Sequence, residues 1–169
     1  MIINKWKIVI TMIIGMLLSV TSAYAVDVNI TVNGSVIARP CTVGTKTANV
    51  DLGDLYTYNF IQPNSASPWY AISLDLVDCP IGTSVVAATF KGVTDNTGYY
   101  KNLGTSEKIQ LQLQDIQGNN LNSGAIKKIA VNDSTLSTSF PLRVRALSVS
   151  GRPTQGSVQA IIDVTYTYL

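Results

Sequence analysis

Histidine is absent from all 169 residues. That removes Ser-His-Asp and Cys-His catalysis together with every histidine-ligated zinc site. Charge is also scarce: charged residues make up 13% of the chain, as 12 Lys+Arg against 10 Asp+Glu. The formal net charge of +2 comes without a basic stripe or cluster, so there is no electrostatic case for nucleic acid. Cysteine occurs twice, at Cys41 and Cys79. No window carries the 3.6-residue apolar period of a helix. The one long hydrophobic run is Ile8–Val20. The length suits one domain large enough to bury a core.

Lys5 and Lys7 precede that run, IVITMIIGMLLSV, and Ala23-Tyr24-Ala25 follows it. As a helix, 13 residues rising about 1.5 Å each cover about 20 Å, short of a ~30 Å hydrocarbon core. Residues 1–25 therefore read as a secretory signal peptide cleaved after Ala25, with no membrane span in the mature form. Removing 25 residues from 169 leaves 144 and takes away Lys5 and Lys7, so 10 basic side chains balance 10 acidic ones. Glu107 is the single glutamate. In an oxidising compartment two cysteines point to one structural disulfide, Cys41–Cys79, since a reactive thiol or a metal pair lacks helper residues.

The body reads as strands. Period-2 patterns near Thr42–Leu52, Trp69–Val77, Ser84–Gly92, Lys108–Gln114, Ile126–Val131, Phe140–Val149 and Ser157–Leu169 are separated by Gly, Asn, Asp, Ser and Pro. Seven or so short strands predict an all-β, immunoglobulin-like antiparallel sandwich.

The two ends carry the most information. Asn33-Gly34 is a strong hairpin signal, but a two-residue hairpin would pair Val28 with Arg39 and send Val36 and Ala38 to the face opposite Val28, Ile30 and Val32. As one continuous strand, Val28, Ile30, Val32, Gly34, Val36 and Ala38 share a face, which explains more of the pattern. A free strand with one apolar face needs a partner. It is shaped to complete another chain's sheet. At the other end Val158, Ala160, Ile162, Val164, Tyr166 and Tyr168 alternate with mostly polar residues to the terminus. This last strand is either an ordinary edge or an edge awaiting an added strand.

Taken together, Asp27–Gly34, Ala38–Val43, Val50–Tyr56, Thr97–Asn102 and Phe140–Leu147 resemble the chaperone–usher pilins, and among them the minor adaptor subunits of type 1 fimbrial tip fibrillae. The terminal signature agrees: Gly156 fourteen residues from the end, then alternating apolar residues to a penultimate tyrosine, Tyr168. The resemblance implies an incomplete sandwich, lacking its final strand and completed by a donor strand from another subunit. It divides the chain into a signal peptide (1–25), a donor-strand extension (26–39) and a pilin domain (40–169). Val28, Ile30, Val32, Gly34, Val36 and Ala38 become the strand given to the preceding subunit. Gly156, Val158, Ala160, Ile162, Val164, Tyr166 and Tyr168 become the groove-side strand offered to the chaperone.

The implied partners are a periplasmic pilus chaperone, an outer-membrane usher, a tip adhesin that receives the donor strand, and the next minor pilin that supplies one. The implied destination is an extracellular fimbrium on a bacterial surface. The expected function is structural, with no enzymatic activity, cofactor or metal. The alternative is a receptor-binding minor adhesin, which ordinarily places a lectin domain ahead of its pilin domain.

Four other signals receive ordinary readings. Asp51/Asp54 and Asp75/Asp78 would share a face only on a helix. Tyr99-Tyr100 reads as a packing pair, against a sugar-stacking platform. Arg143 and Arg145, on one face of a strand, read as solvent-facing charges, against a grip on an anion.

Overall fold

The computed structural model describes residues 29–36 and 39–169. The signal peptide, Val28 and Ala38 lie outside the described residues. The chain divides at Ser35–Val36 into two units.

In the second unit nine strands follow one another: β1 Thr42–Val43, β2 Ser65–Ala66, β3 Tyr70–Val77, β4 Val85–Gly92, β5 Tyr100–Lys101, β6 Gln110–Asp115, β7 Ile126–Ala130, β8 Thr138–Ser148 and β9 Ile162–Tyr168. One sheet runs β1-β3-β8-β6-β5, with β2 also paired to β8, and the other runs β7-β4-β9. All pairings are antiparallel.

Alternation builds the core. Leu74 and Leu76 of β3, Val86, Ala88 and Phe90 of β4, Leu111 and Leu113 of β6, and Phe140, Leu142, Val144 and Ala146 of β8 are buried on the inner faces. A 3-10 turn, Thr57–Phe60, drives Phe60 into the same core.

Five of the seven expected strands appear within two residues of their expected limits. Two do not. The stretch expected as Thr42–Leu52 is strand only at Thr42–Val43, and Ser157–Leu169 only from Ile162 to Tyr168. Both shortened segments keep their apolar alternation but find no strand alongside, and a strand exists only with a neighbour to bond to. The two-residue strands β2 and β5 are too short to leave any period in the sequence.

Cys41 and Cys79 form the expected disulfide, across a sequence separation of 38. Closing a loop of that length stabilises a fold by roughly 3–4 kcal/mol. Replacing both cysteines by serine should lower the unfolding free energy by about that amount, measured by guanidinium titration of the strand-complemented chain.

The sheets are also tied by charge. Asp115, at the end of β6, accepts from Lys127 Nζ of β7 at 2.8 Å and from the backbone and side chain of Asn119. Burial pushes the carboxyl up, but the Lys127 and Asn119 hydrogen bonds and the Lys127 charge outweigh it and hold the pKa at about 2. The folded value lies below the ~3.9 of an unfolded aspartate. The pair's contribution is therefore complete above about pH 4 and is lost as pH falls through about 2. The melting temperature of the wild type should drop more steeply between pH 4 and pH 2 than that of Asp115→Asn, in paired thermal scans.

Candidate functional site: an open groove beside the last strand

Strand β9 bonds on one side only, to β4, in the register Gly92↔Ile162, Phe90↔Val164, Ala88↔Tyr166 and Val86↔Tyr168. Its other edge has no strand beside it among the described residues. Ile162, Val164, Tyr166 and Tyr168 form the inward, half-buried face of β9, and Asp163, Thr165 and Thr167 point to solvent.

The segment just before β9 extends this open wall by different bonds. Leu103 N–H donates to Gln159 O at 2.8 Å, and Ser106 N–H to Ser157 O at 3.1 Å. Asn102 Nδ2 also donates to Ser157 O, and its Oδ1 accepts from Gln159 N–H. Ser157 and Gln159 are thus tied to the 102–106 loop. Val158, between them, and Ala160, just after them, point the other way and make no backbone hydrogen bond among the described residues. Their half-buried side chains continue the apolar face. Gly156 is required at the start: with φ at +155°, an added Cβ would lie 2.5 Å from Ser106 N.

Across from this wall runs a second one, made by Val50, Leu52 and Leu55, half-buried against the core. The Tyr70 hydroxyl donates to Leu52 O at 2.9 Å, and Asp51 Oδ1 accepts from Gly53 N–H at 2.8 Å. These bonds hold the wall without any β-pairing. Between the walls lies a trough of about 810 Å³ with an apolar floor that includes Phe60, Phe90, Leu111, Leu113, Leu142 and Val144.

One wall is a free strand edge, the other an irregular segment outside any strand, and the floor is the core itself. Near the far end of β9, the Tyr168 hydroxyl reaches Cys41 O at 3.4 Å, and the Tyr166 ring packs on Phe140 with centroids 5.8 Å apart. Burial raises the pKa of both phenols, so they remain neutral.

Of the seven C-terminal site residues, Gly156, Val158, Ala160, Ile162 and Val164 line the trough, and Tyr166 and Tyr168 continue the same face of β9 beyond it. The opposite wall and the floor were not identified as site residues from the sequence. The Val50/Leu52 alternation was the available signal, but it reads equally well as an ordinary strand.

The expected donor residues lie near the N-terminus. Ile30, Val32 and Val36 are 84%, 87% and 105% exposed, and residues 29–36 belong to no strand or turn. Neither Asn33 nor Gly34 adopts positive φ, so the two-residue hairpin turn, which demands it, is not formed.

The remaining signals fall where packing needs them. Tyr100 is buried, donates to Leu121 O at 2.8 Å, and has its pKa pushed up to about 12 by burial. Asp51 and Asp54 are exposed in an irregular segment. Asp75 accepts from the Ser73 hydroxyl, and Asp78 follows β3 at a left-handed φ of 51°.

The family model described as "Fimbrial protein" matches residues 30–168. The chain is 54% identical over 158 residues to Protein FimG of Escherichia coli (strain K12), across 92% of this chain and 95% of that one. It is 39% identical over 149 residues to the S-fimbrial adhesin protein SfaS of Escherichia coli O6:K15:H31 (strain 536 / UPEC), across 87% and 88%. Among solved structures, the P pilus rod subunit PapA superposes with a TM-score of 0.64 at 17% identity, over 78% of this chain and 100% of that one. The CupB6 tip adhesin from Pseudomonas aeruginosa gives 0.65 at 17%, over 77% of this chain and 38% of that one. An all-β sandwich with an unfilled trough beside its last strand, matched by the family model along nearly all of its described length, belongs to the fimbrial protein family.

Proposed function

We propose that this chain is a structural adaptor subunit of a type 1-like fimbria, polymerised by donor-strand exchange. The single observation that carries the reading is the trough: a gap with an apolar floor, bordered by the free edge of β9 and the unpaired 50–55 segment. An extended strand inserted there gains backbone bonds from β9 and buries alternate side chains on the core floor.

The exposed 29–36 segment is the matching gift. Burying Val28, Ile30, Val32, Val36 and Ala38 in the groove of a preceding subunit contributes roughly 1–2 kcal/mol each. Ladder hydrogen bonds add about 0.5–1.5 kcal/mol apiece. Gly34, which has no atom within 4 Å of a would-be Cβ, leaves a place in that strand with no side chain to seat. Inserting a missing strand is a folding step, so the assembled joint persists through slow unfolding.

In this reading a periplasmic chaperone first lends a strand to the groove, and an outer-membrane usher passes the subunit on. The next minor pilin then supplies its extension, while this chain's own extension enters the tip adhesin. The likeness to FimG supports the adaptor position. The test is co-expression of the mature chain with a chaperone and a tip adhesin. A complex that resists SDS and dissociates on boiling is expected; separate subunits under those conditions would contradict the proposal. A second reading, a receptor-binding minor adhesin, is supported by the 39% identity to a protein named an adhesin.

A further inference from the structure

The outer face of the larger sheet, on the side of β8 opposite the trough, holds a cluster that strand exchange does not use. Arg143 and Arg145 stand on β8, and both guanidinium carbons lie over the same Trp69 ring, 4.5 and 4.2 Å from its centroid. The register explains the gathering. Arg143 and Arg145 sit opposite Gln114 and Gln112 of β6, and Trp69 directly precedes Tyr70, the partner of Val144.

Each guanidinium is aimed by a neutral acceptor. Gln114 Oε1 takes hydrogen bonds from Arg143 Nε and Nη2 at 3.2 and 2.9 Å, and Gln112 Oε1 takes one from Arg145 Nε at 2.7 Å. The two glutamines are locked in turn, because both Nε2 groups donate to Asn120 Oδ1 at 2.8 and 2.9 Å. Their side chains are covered, at 4% and 9% exposure. A buried amide ladder thus fixes the two cations in place with both Nη groups of Arg145 and Nη1 of Arg143 free to donate.

What the cluster lacks is an anion. Among the described residues the one salt bridge is Lys127–Asp115, so neither arginine has a carboxylate partner. Partial burial, then the like charge of Arg143, push the Arg145 pKa down, with Tyr99 close enough to oppose them. Two like charges crowded on one ring and held by neutral acceptors are stabilised by a counter-charge from outside.

We propose that Arg143 and Arg145, stacked on Trp69 and oriented by Gln112 and Gln114, form a binding site for an oxyanion, a carboxylate or a sulfate. The planar guanidinium edge matches either group in a two-bond geometry. This site is independent of the groove and survives whether or not the strand-exchange reading holds.

The test is calorimetric titration of sulfate and of glucuronate into the full mature chain recovered from the periplasm, against chloride at matched ionic strength. Both oxyanions should bind with saturation at millimolar concentration, and chloride should not. Arg143→Gln and Arg145→Gln should each weaken binding by about tenfold or more. Gln112→Glu gives Arg145 an internal counter-ion, and should abolish the binding while near-UV circular dichroism stays native. Equal affinity for the two probes identifies the anion alone as the ligand, and tighter glucuronate binding identifies an acidic saccharide; both uphold the site. No saturable heat, or binding unchanged in the arginine variants or in Gln112→Glu, overturns it.

Discussion

Val164→Asp should abolish recovery of the subunit from the periplasm, while Thr165→Asp, one residue along the same strand, should leave the yield near that of the wild type. The two positions differ in face alone. Val164 pairs in register with Phe90 and lies half-buried in the wall of the trough, whereas Thr165 points to solvent. A carboxylate at position 164 would be sealed beneath any strand that filled the groove. Burying a polar group without a compensating bond costs on the order of 2–7 kcal/mol, and an ionised one more. A single domain has about 5–15 kcal/mol in total. A subunit that cannot accept a strand leaves its core open, and proteolysis removes it. Immunoblots of periplasmic extracts from cells co-expressing the chaperone would decide it: an undiminished Val164→Asp band would refute the role given to the groove.

The second large effect lies at the other end and has the opposite character. Ile30→Asp or Val32→Asp should leave the chain's own yield and chaperone binding intact and yet block capture by the preceding subunit. These side chains are 84% and 87% exposed, so their loss removes no packing from the domain that carries them. In the receiving groove each would forfeit roughly 2 kcal/mol of apolar burial and bring a charge into an apolar cleft, at a further cost of several kcal/mol. Native gels of mixed subunits provide the readout. A normal heterodimer with either variant would sink the assignment of 29–36 as a donor.

The pair of experiments separates giving a strand from receiving one. A variant in the extension acts only on the joint toward the tip. A variant in β9 acts on the subunit itself, because the floor of the trough, formed by Phe90, Leu111, Leu113, Leu142 and Val144, is the core of the domain.

Most of the sandwich was legible because alternation is a direct record of burial. Leu74/Leu76, Val86/Ala88/Phe90 and Phe140/Leu142/Val144 mark inner faces in the sequence as plainly as in the fold. Alternation does not record which group satisfies the backbone. Val50/Leu52 and Val158/Ala160 carry the same signature, yet the first pair is held by Tyr70 and an aspartate turn, and the second by the 102–106 loop. The expected strands shrank at these two places, and there the trough opens.

The glutamines of β6 were illegible for a related reason. In a strand of sequence QLQLQD every residue is buried, and Gln112 and Gln114 are covered because arginines from β8 fold over them and meet a tryptophan from beside β3. Nothing local in either segment announces that meeting. It depends on β3, β8 and β6 lying side by side.

The central claim is that the trough is the place of a missing strand, and backbone amide exchange tests it most directly. The measurement compares the mature chain joined to its succeeding subunit with the same pair after the donor extension of the successor has been removed. In the joined pair, slow exchange should appear at Val158, Ala160 and the free edge of β9 between Ile162 and Tyr168, with the β4-bonded amides little changed. Equal exchange at these amides in both samples would mean that no strand occupies the groove, and would contradict the account.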